Sequence, residues 1–180
     1  MDLDYSSEGS VKAPITNYTG KILIAFPEHI VGSAASPSAE DLFKVRYEKE
    51  AKYLPEEHAR SFHHTTAHML FMCSQERRDT KTEVALPSTI IKQPDDYEWG
   101  KLNRLLKYLN GTRNMRLNLT VGNMSLIKWW VDASYNVHWD SRGHNGSMVS
   151  LGRWAIISNS NKKKLNINIS TEGELGATQA

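Results

Sequence analysis

Apolar residues recur at helical spacing through the first 112 residues and at strand spacing after them. Leu102, Leu105, Leu106 and Leu109 stand at i, i+3, i+4 and i+7, one face of an amphipathic helix. Pro94-Asp95-Asp96 starts that helix, and Asn110-Gly111 stops it. Phe62, Thr66, Met69, Leu70 and Cys73 form a second stripe. It predicts a helix opened by Pro55 at the first helical position, where a missing N–H costs nothing. Glu56 and Glu57 in its first turn favour the helix dipole. A shorter helix is predicted from Thr16 to Phe26, with Ile22, Leu23 and Phe26 together, ending before Pro27. RRDTKTEVALPSTIIKQ predicts another helix, broken near Pro87. Between them, VGSAASPSAE reads as a loop and LFKVRYEKEAKYL as an extended surface linker. LDYSSEGSVKAPI reads as two short extended pieces around a turn. A lone hairpin is marginal in water, so this one belongs to a larger sheet.

From Arg116 the period changes to two. RLNLTV predicts a strand and Gly122-Asn123 a turn. LIKWWVDASYN, Leu126 to Asn136, then predicts a mostly buried strand that ends in one carboxylate, Asp132. A polar loop follows from His138 to Gly146, then strands at SMVSLG, WAIIS and KLNINIS. STEGELGATQA begins a helix, in which Thr171 and Glu174 have capping-box spacing. The fold class is α+β: a helical part, residues 1–112, precedes a β-β-β-β-α part, residues 113–180.

Composition changes this picture little. Hydrophobic residues make up 39% of the 180, and mean hydropathy is −0.51, so the chain is soluble yet can bury a core. No apolar run reaches the roughly 18 residues of a membrane span. The acidic start, MDLDYSSEGS, lacks the pattern of a signal peptide. The single cysteine, Cys73, fits a reducing compartment. A net charge of +2 does not by itself indicate nucleic-acid binding, so basic residues have to be clustered to matter.

Three constellations can carry chemistry. Asp132 ends a strand, and Glu174 lies in the first turn of a helix several strands later. Brought together, two carboxylates suit Mg²⁺, which binds through one or two acids plus substrate phosphates. The alternatives are a strand-end hydrogen bond for Asp132 and a helix cap for Glu174. His64 and His68 stand at i, i+4, a zinc-compatible spacing. Their motif, HTTAH, lacks the glutamate of metalloproteases, and the alternative is a polar helix face. Lys101, Arg104 and Lys107 recur every three residues, and Lys162, Lys163 and Lys164 form a run. Both groups can contact phosphates. A solvated helix face and a lysine-protected edge strand are the alternatives. Trp129, Trp130, Trp139 and Trp154 read as core rather than as base-stacking platforms.

These residues carry a resemblance along nearly the whole chain. MDLDYSSEG resembles the last palm hairpin of a copia-type retrotransposon reverse transcriptase, and NYTGKILIAFPEHI the helix after it. FHHTTAHMLFMCSQERRDTKTEVA resembles the family segment ending in R-x-D-I-x-x-A-V. DDYEWGKLNRLLKYLNGTRNMRLNL resembles its W-x-x-x-x-R-x-L-x-Y-L-x-G-T pattern. WWVDASYN resembles the first strand of the family's RNase H domain, and STEGELGA its S-S-T-E-x-E-x-x-x-A helix.

The resemblance implies reverse transcriptase thumb and connection over residues 1–112 and the first half of an RNase H-like domain over 113–180. It implies Asp132 and Glu174 as catalytic Mg²⁺ ligands, with Glu172 outside the set. It further implies RNA–DNA hybrid as substrate, the rest of the polyprotein as partner, no membrane, and an intracellular setting, cytoplasmic or nuclear, in a virus-like particle. The polymerase signature Y-x-D-D is absent from these residues, and the remaining RNase H aspartates fall after Ala180 in the family pattern. The chain alone is therefore expected to be inactive, and a non-catalytic nucleic-acid-binding remnant is the alternative. Thr80 in place of isoleucine, Pro87 and Trp154 read as drift.

Overall fold

The computed structural model describes residues 9–13, 16–44, 48–115, 117–120, 126–138, 140–151 and 154–164. The fold is α+β, in two compact units: Ile15–Met115, and Met1–Pro14 together with Arg116–Ala180.

The first unit is built from α1 (Thr16–Ala25), α2 (Glu56–Gln75), α3 (Lys81–Thr89) and α4 (Asp96–Gly111). The apolar stripes meet in one core. Phe62, Met69, Met72 and Cys73 of α2 pack with Leu102, Leu105, Leu106 and Leu109 of α4, Val84 of α3, and Ile22, Leu23 and Phe26 at α1. Full burial of a leucine or phenylalanine contributes about 1.5–3 kcal/mol, so these side chains dominate the unit's stability. Leu70, expected in the stripe, is only half-buried, and Thr65 and Met72 are buried instead.

Asp95 caps α4, its carboxylate accepting the Glu98 N–H at 2.9 Å. Pro55 stands one residue earlier than expected. It is the N-cap of α2 with extended ψ, so the helix proper starts at Glu56. Pro87 lies inside α3 and leaves the Glu83 carbonyl without its i+4 donor; the helix ends two residues later. The linker before α2 is not merely extended. Glu48–Glu50 form a 3₁₀ turn, and Leu54 N–H to Pro94 O (3.0 Å) and Asp96 N–H to Lys52 O (3.0 Å) tie it to the entry of α4.

A polar knot joins the ends of these helices. Arg77, almost wholly buried, grips Asp79 with two nitrogens at 3.0 and 2.8 Å and donates to the Thr112 carbonyl and hydroxyl at 3.2 and 2.8 Å. The Tyr108 hydroxyl donates to the same Asp79 carboxylate at 2.8 Å. Arg77 and Asp79 belong to one quoted motif, Tyr108 and Thr112 to the other, so the two motifs are halves of one structural joint. Thr80 beside it is fully buried, with its hydroxyl donating to the Arg77 carbonyl at 2.8 Å. A threonine is therefore tolerated there, because its polar atom is satisfied.

Among the described residues the second unit has two antiparallel sheets. β1 (Ser10–Ala13) pairs with β2 (Leu117–Thr120), so the early strand joins a segment more than one hundred residues later. The residues expected to form its hairpin partner lie outside the described ones. β3 (Ile127–Ser134), β4 (His144–Leu151) and β5 (Trp154–Lys162) form a three-stranded meander in that order. β4 begins at His144, inside the expected polar loop, and β5 runs past the expected WAIIS through Asn159–Lys162. Backbone ladders are indifferent to side-chain polarity, so a polar run hid both ends. The expected turn at Gly122-Asn123, the strand from Leu165 and the helix from Thr171 lie outside the described residues.

β3 corrects the sequence reading most. It was expected to be mostly buried, but Ile127, Trp129 and Trp130 are 69%, 59% and 56% exposed. Adjacent strand residues point to opposite faces, so Trp129 and Trp130 are exposed on both sides of the sheet. Apolarity and β-propensity decide that the segment is a strand. They do not decide what covers it.

Candidate functional site

Asp132 is the sixth residue of β3 and lies opposite Gly146 of β4. Gly146 has no side chain, so the carboxylate has open space across the ladder, and it is exposed. Gly146 in turn is opposite Ser160 of β5. Strand alternation therefore puts Asp132, Ser134, His144 and Ser160 on one sheet face. Glu174 and Glu172 lie outside the described residues. Among the described residues no three or more His, Cys, Asp or Glu side chains group as a metal site.

The six basic residues separate by environment. Lys101 is largely buried, 2.9 Å from the Glu98 carboxylate and 2.9 Å from the Leu42 carbonyl, with its ammonium 4.5 Å from the centre of the Tyr97 ring. Arg104 donates to the Ser36 hydroxyl at 3.2 Å. Lys107 is exposed. A spacing of three advances about 300° around a helix, so these side chains fan out rather than form a stripe. Lys162 pairs with Asp140 at 2.9 Å, Lys163 is buried, and Lys164 is exposed. Lys107 and Lys164 are thus the two that face solvent most openly.

Beside Asp132 lies a cluster that sequence reading missed. His138 Nε2 is 3.0 Å from His144 Nδ1, and His144 Nε2 is 2.7 Å from Ser160 Oγ. All three residues are buried. The loop from Tyr135 to Gly143 returns His138 onto the sheet, and it contains Asn136 and Ser141 in the left-handed region. Burial, with a smaller push from His138, lowers the His144 imidazole to about 4. Burial lowers His138 as well, Lys162 adding to the effect and Asp140 opposing it. Burial would raise Asp140, but the Lys162 hydrogen bond and charge overcome it and hold the carboxyl below its usual value. The two rings are therefore neutral, and one proton per link runs along the chain from His138 to Ser160 in either direction. No spacing rule joins residues 138, 144 and 160, because strand register brings them together.

A stretch of 99 residues, 54% of the chain, is 33% identical to the retrovirus-related Pol polyprotein from transposon RE2 of Arabidopsis thaliana. That stretch is 7% of the polyprotein, so the chain spans a small part of the relative it matches. The similarity supports a retrotransposon-related origin. No protein-family model matches the chain, and no solved structure matches it. No helix among the described residues is long and apolar enough to cross a membrane.

Proposed function

We propose that this chain is a fragment of a copia-type retrotransposon Pol polyprotein, running from the end of reverse transcriptase into the RNase H domain. The observation that carries the reading is the similarity to a transposon Pol polyprotein over half the chain. The antiparallel order β3-β4-β5, with Asp132 in the first strand, supports it. Residues 1–112 would be the thumb and connection, and 113–180 the first part of the RNase H-like domain. The whole would work on RNA–DNA hybrids beside the rest of the polyprotein.

Asp132 suits Mg²⁺ in kind, being an exposed hard oxygen donor two residues before the end of β3. Among the described residues no three or more His, Cys, Asp or Glu side chains group as a metal site there, so further ligands would have to come from elsewhere. Glu174 would be the second ligand, and the ion when bound would polarise a scissile phosphate and an attacking water. Asp132 itself would accept the positive charge and fix its position against the sheet. The 180 residues alone are expected not to cleave a hybrid.

The test uses the chain extended after Ala180 by a segment of the related polyprotein that supplies the remaining acids. Mg²⁺- or Mn²⁺-dependent hybrid cleavage that disappears with Asp132→Asn supports the reading. A fusion that never cleaves, or cleaves equally well with Asp132→Asn, overturns it. A second reading, a non-catalytic nucleic-acid binder, draws on the exposure of Trp129 and Trp130, since aromatic faces stack with bases. It predicts salt-dependent hybrid binding, weakened by Trp129→Ala, with no cleavage by the fusion.

A further inference from the structure

α2 carries His64 and His68 one turn apart, and the reading above uses neither. Both side chains are exposed, and both line an open cleft of about 340 Å³ between α1 and α2. Residues four apart on a helix stand one above the other, so the two imidazoles reach toward the same space. His68 is also oriented from outside its own helix. Its Nδ1 is 2.8 Å from the hydroxyl of Tyr18 on α1. When Nδ1–H donates to the Tyr18 oxygen, Nε2 keeps its lone pair for a ligand. Metal-bound histidines usually donate their other N–H to an oxygen acceptor such as a carboxylate, a backbone carbonyl or water, and the Tyr18 oxygen can take that place. The charge around the cleft does not oppose a cation. Arg60, in the lining, is paired with Glu56 at 2.8 Å, and Glu57 adds a carboxylate.

We propose that His64 and His68 bind a divalent transition-metal ion of the imidazole-preferring class, such as Zn²⁺, Ni²⁺ or Cu²⁺, with Tyr18 as a positioning residue. Nitrogen donors favour these ions over Mg²⁺ or Ca²⁺. Glu57 precedes His64 by about two turns, or roughly 10 Å along the axis, so it is not counted as a ligand. The remaining positions are filled by water, which makes the site open rather than structural. It is independent of Asp132 and of any nuclease activity.

The test is calorimetric titration of Zn²⁺ alone into the full chain. One saturable site is expected, lost in His64→Asn and in His68→Asn. Tyr18→Phe keeps the ring packed against Phe71 and is expected to weaken binding about tenfold. Its metal-free Tm and far-UV circular dichroism should match the parent. His29→Asn, an exposed histidine elsewhere, should leave binding unchanged. Absence of a saturable site in the parent, or binding that survives either histidine substitution, overturns the proposal. Unchanged affinity in Tyr18→Phe removes Tyr18 from it.

Discussion

At the scale of single residues, the two polar clusters behave differently because one is charged and the other neutral. Burial would raise the Asp79 carboxyl, yet the hydrogen bonds and charge of Arg77, aided by Tyr108, hold it below the ordinary range. Its stabilising effect is therefore full above the normal carboxylate range and is lost as pH falls through the lowered value. Asp79→Asn should cost about 2 kcal/mol at neutral pH in denaturant unfolding, because Arg77 would remain buried with its charge half-answered. His144 is the opposite case. An unfolded histidine takes its proton near 6.5, whereas the folded ring waits until about 4. Stability should be full above pH 6.5 and fall between there and pH 4, by up to an order of 3 kcal/mol. Denaturant unfolding across that window should show the slope, and His144→Gln should flatten it. Neither cluster was legible beforehand. Arg77, Asp79, Tyr108 and Thr112 stood in two motifs without a stated reason, and the His138–His144–Ser160 chain had no signal at all.

At the scale of elements, the helices were read well and the strands less well. Helical stripes repeat over three or four turns, so Leu102 to Leu109 identifies a buried face through several residues at once. A strand offers only a few alternating positions, and here polar residues occupied half of them. The polar loop expected from His138 to Gly146 includes His144, and the expected strand WAIIS stops at Ser158, although the backbones of His144 and of Asn159–Lys162 are laddered. The hairpin joining β3 to β4 depends on a feature of one residue. A Cβ at Gly143 would collide with the Ser134 carbonyl oxygen, and the Gly143 carbonyl accepts the Lys163 N–H at 2.9 Å. Gly143→Ala should therefore cost about 1–3 kcal/mol as the strands separate to make room. Loss of amide-exchange protection confined to β3–β5 would locate the damage. Full retention of protection would show the hairpin more pliable than this geometry implies.

At the scale of the whole molecule, the sheet's exposed apolar surface is the dominant feature. Trp129, Val149 and Ile157 are cross-strand neighbours on one face, and two of them are more than half exposed. Such a surface favours self-association. The double substitution Trp129→Ser with Ile157→Ser should reduce light scattering at high concentration. It should shift unfolding free energy by only about 0.5 kcal/mol, since neither side chain is buried. A large loss of stability would mean that the two side chains pack more tightly than their exposure indicates.

The sequence by itself determined that the chain is α+β, that the helices precede the strands of the β3-β4-β5 sheet, and which leucines and aromatics form the helical core. Those properties are local or periodic, and a repeated period is written directly into the order of residues. It also carried the likeness to a transposon polyprotein, because motif order survives substitution at individual sites. Only the tertiary structure decided that Lys101 and Lys162 are held in ion pairs and that β1 pairs with β2. It alone decided that Trp129 and Trp130 face outward and that His144 lies between His138 and Ser160. Each of these depends on which distant segment arrives beside a residue, and a linear pattern does not contain that.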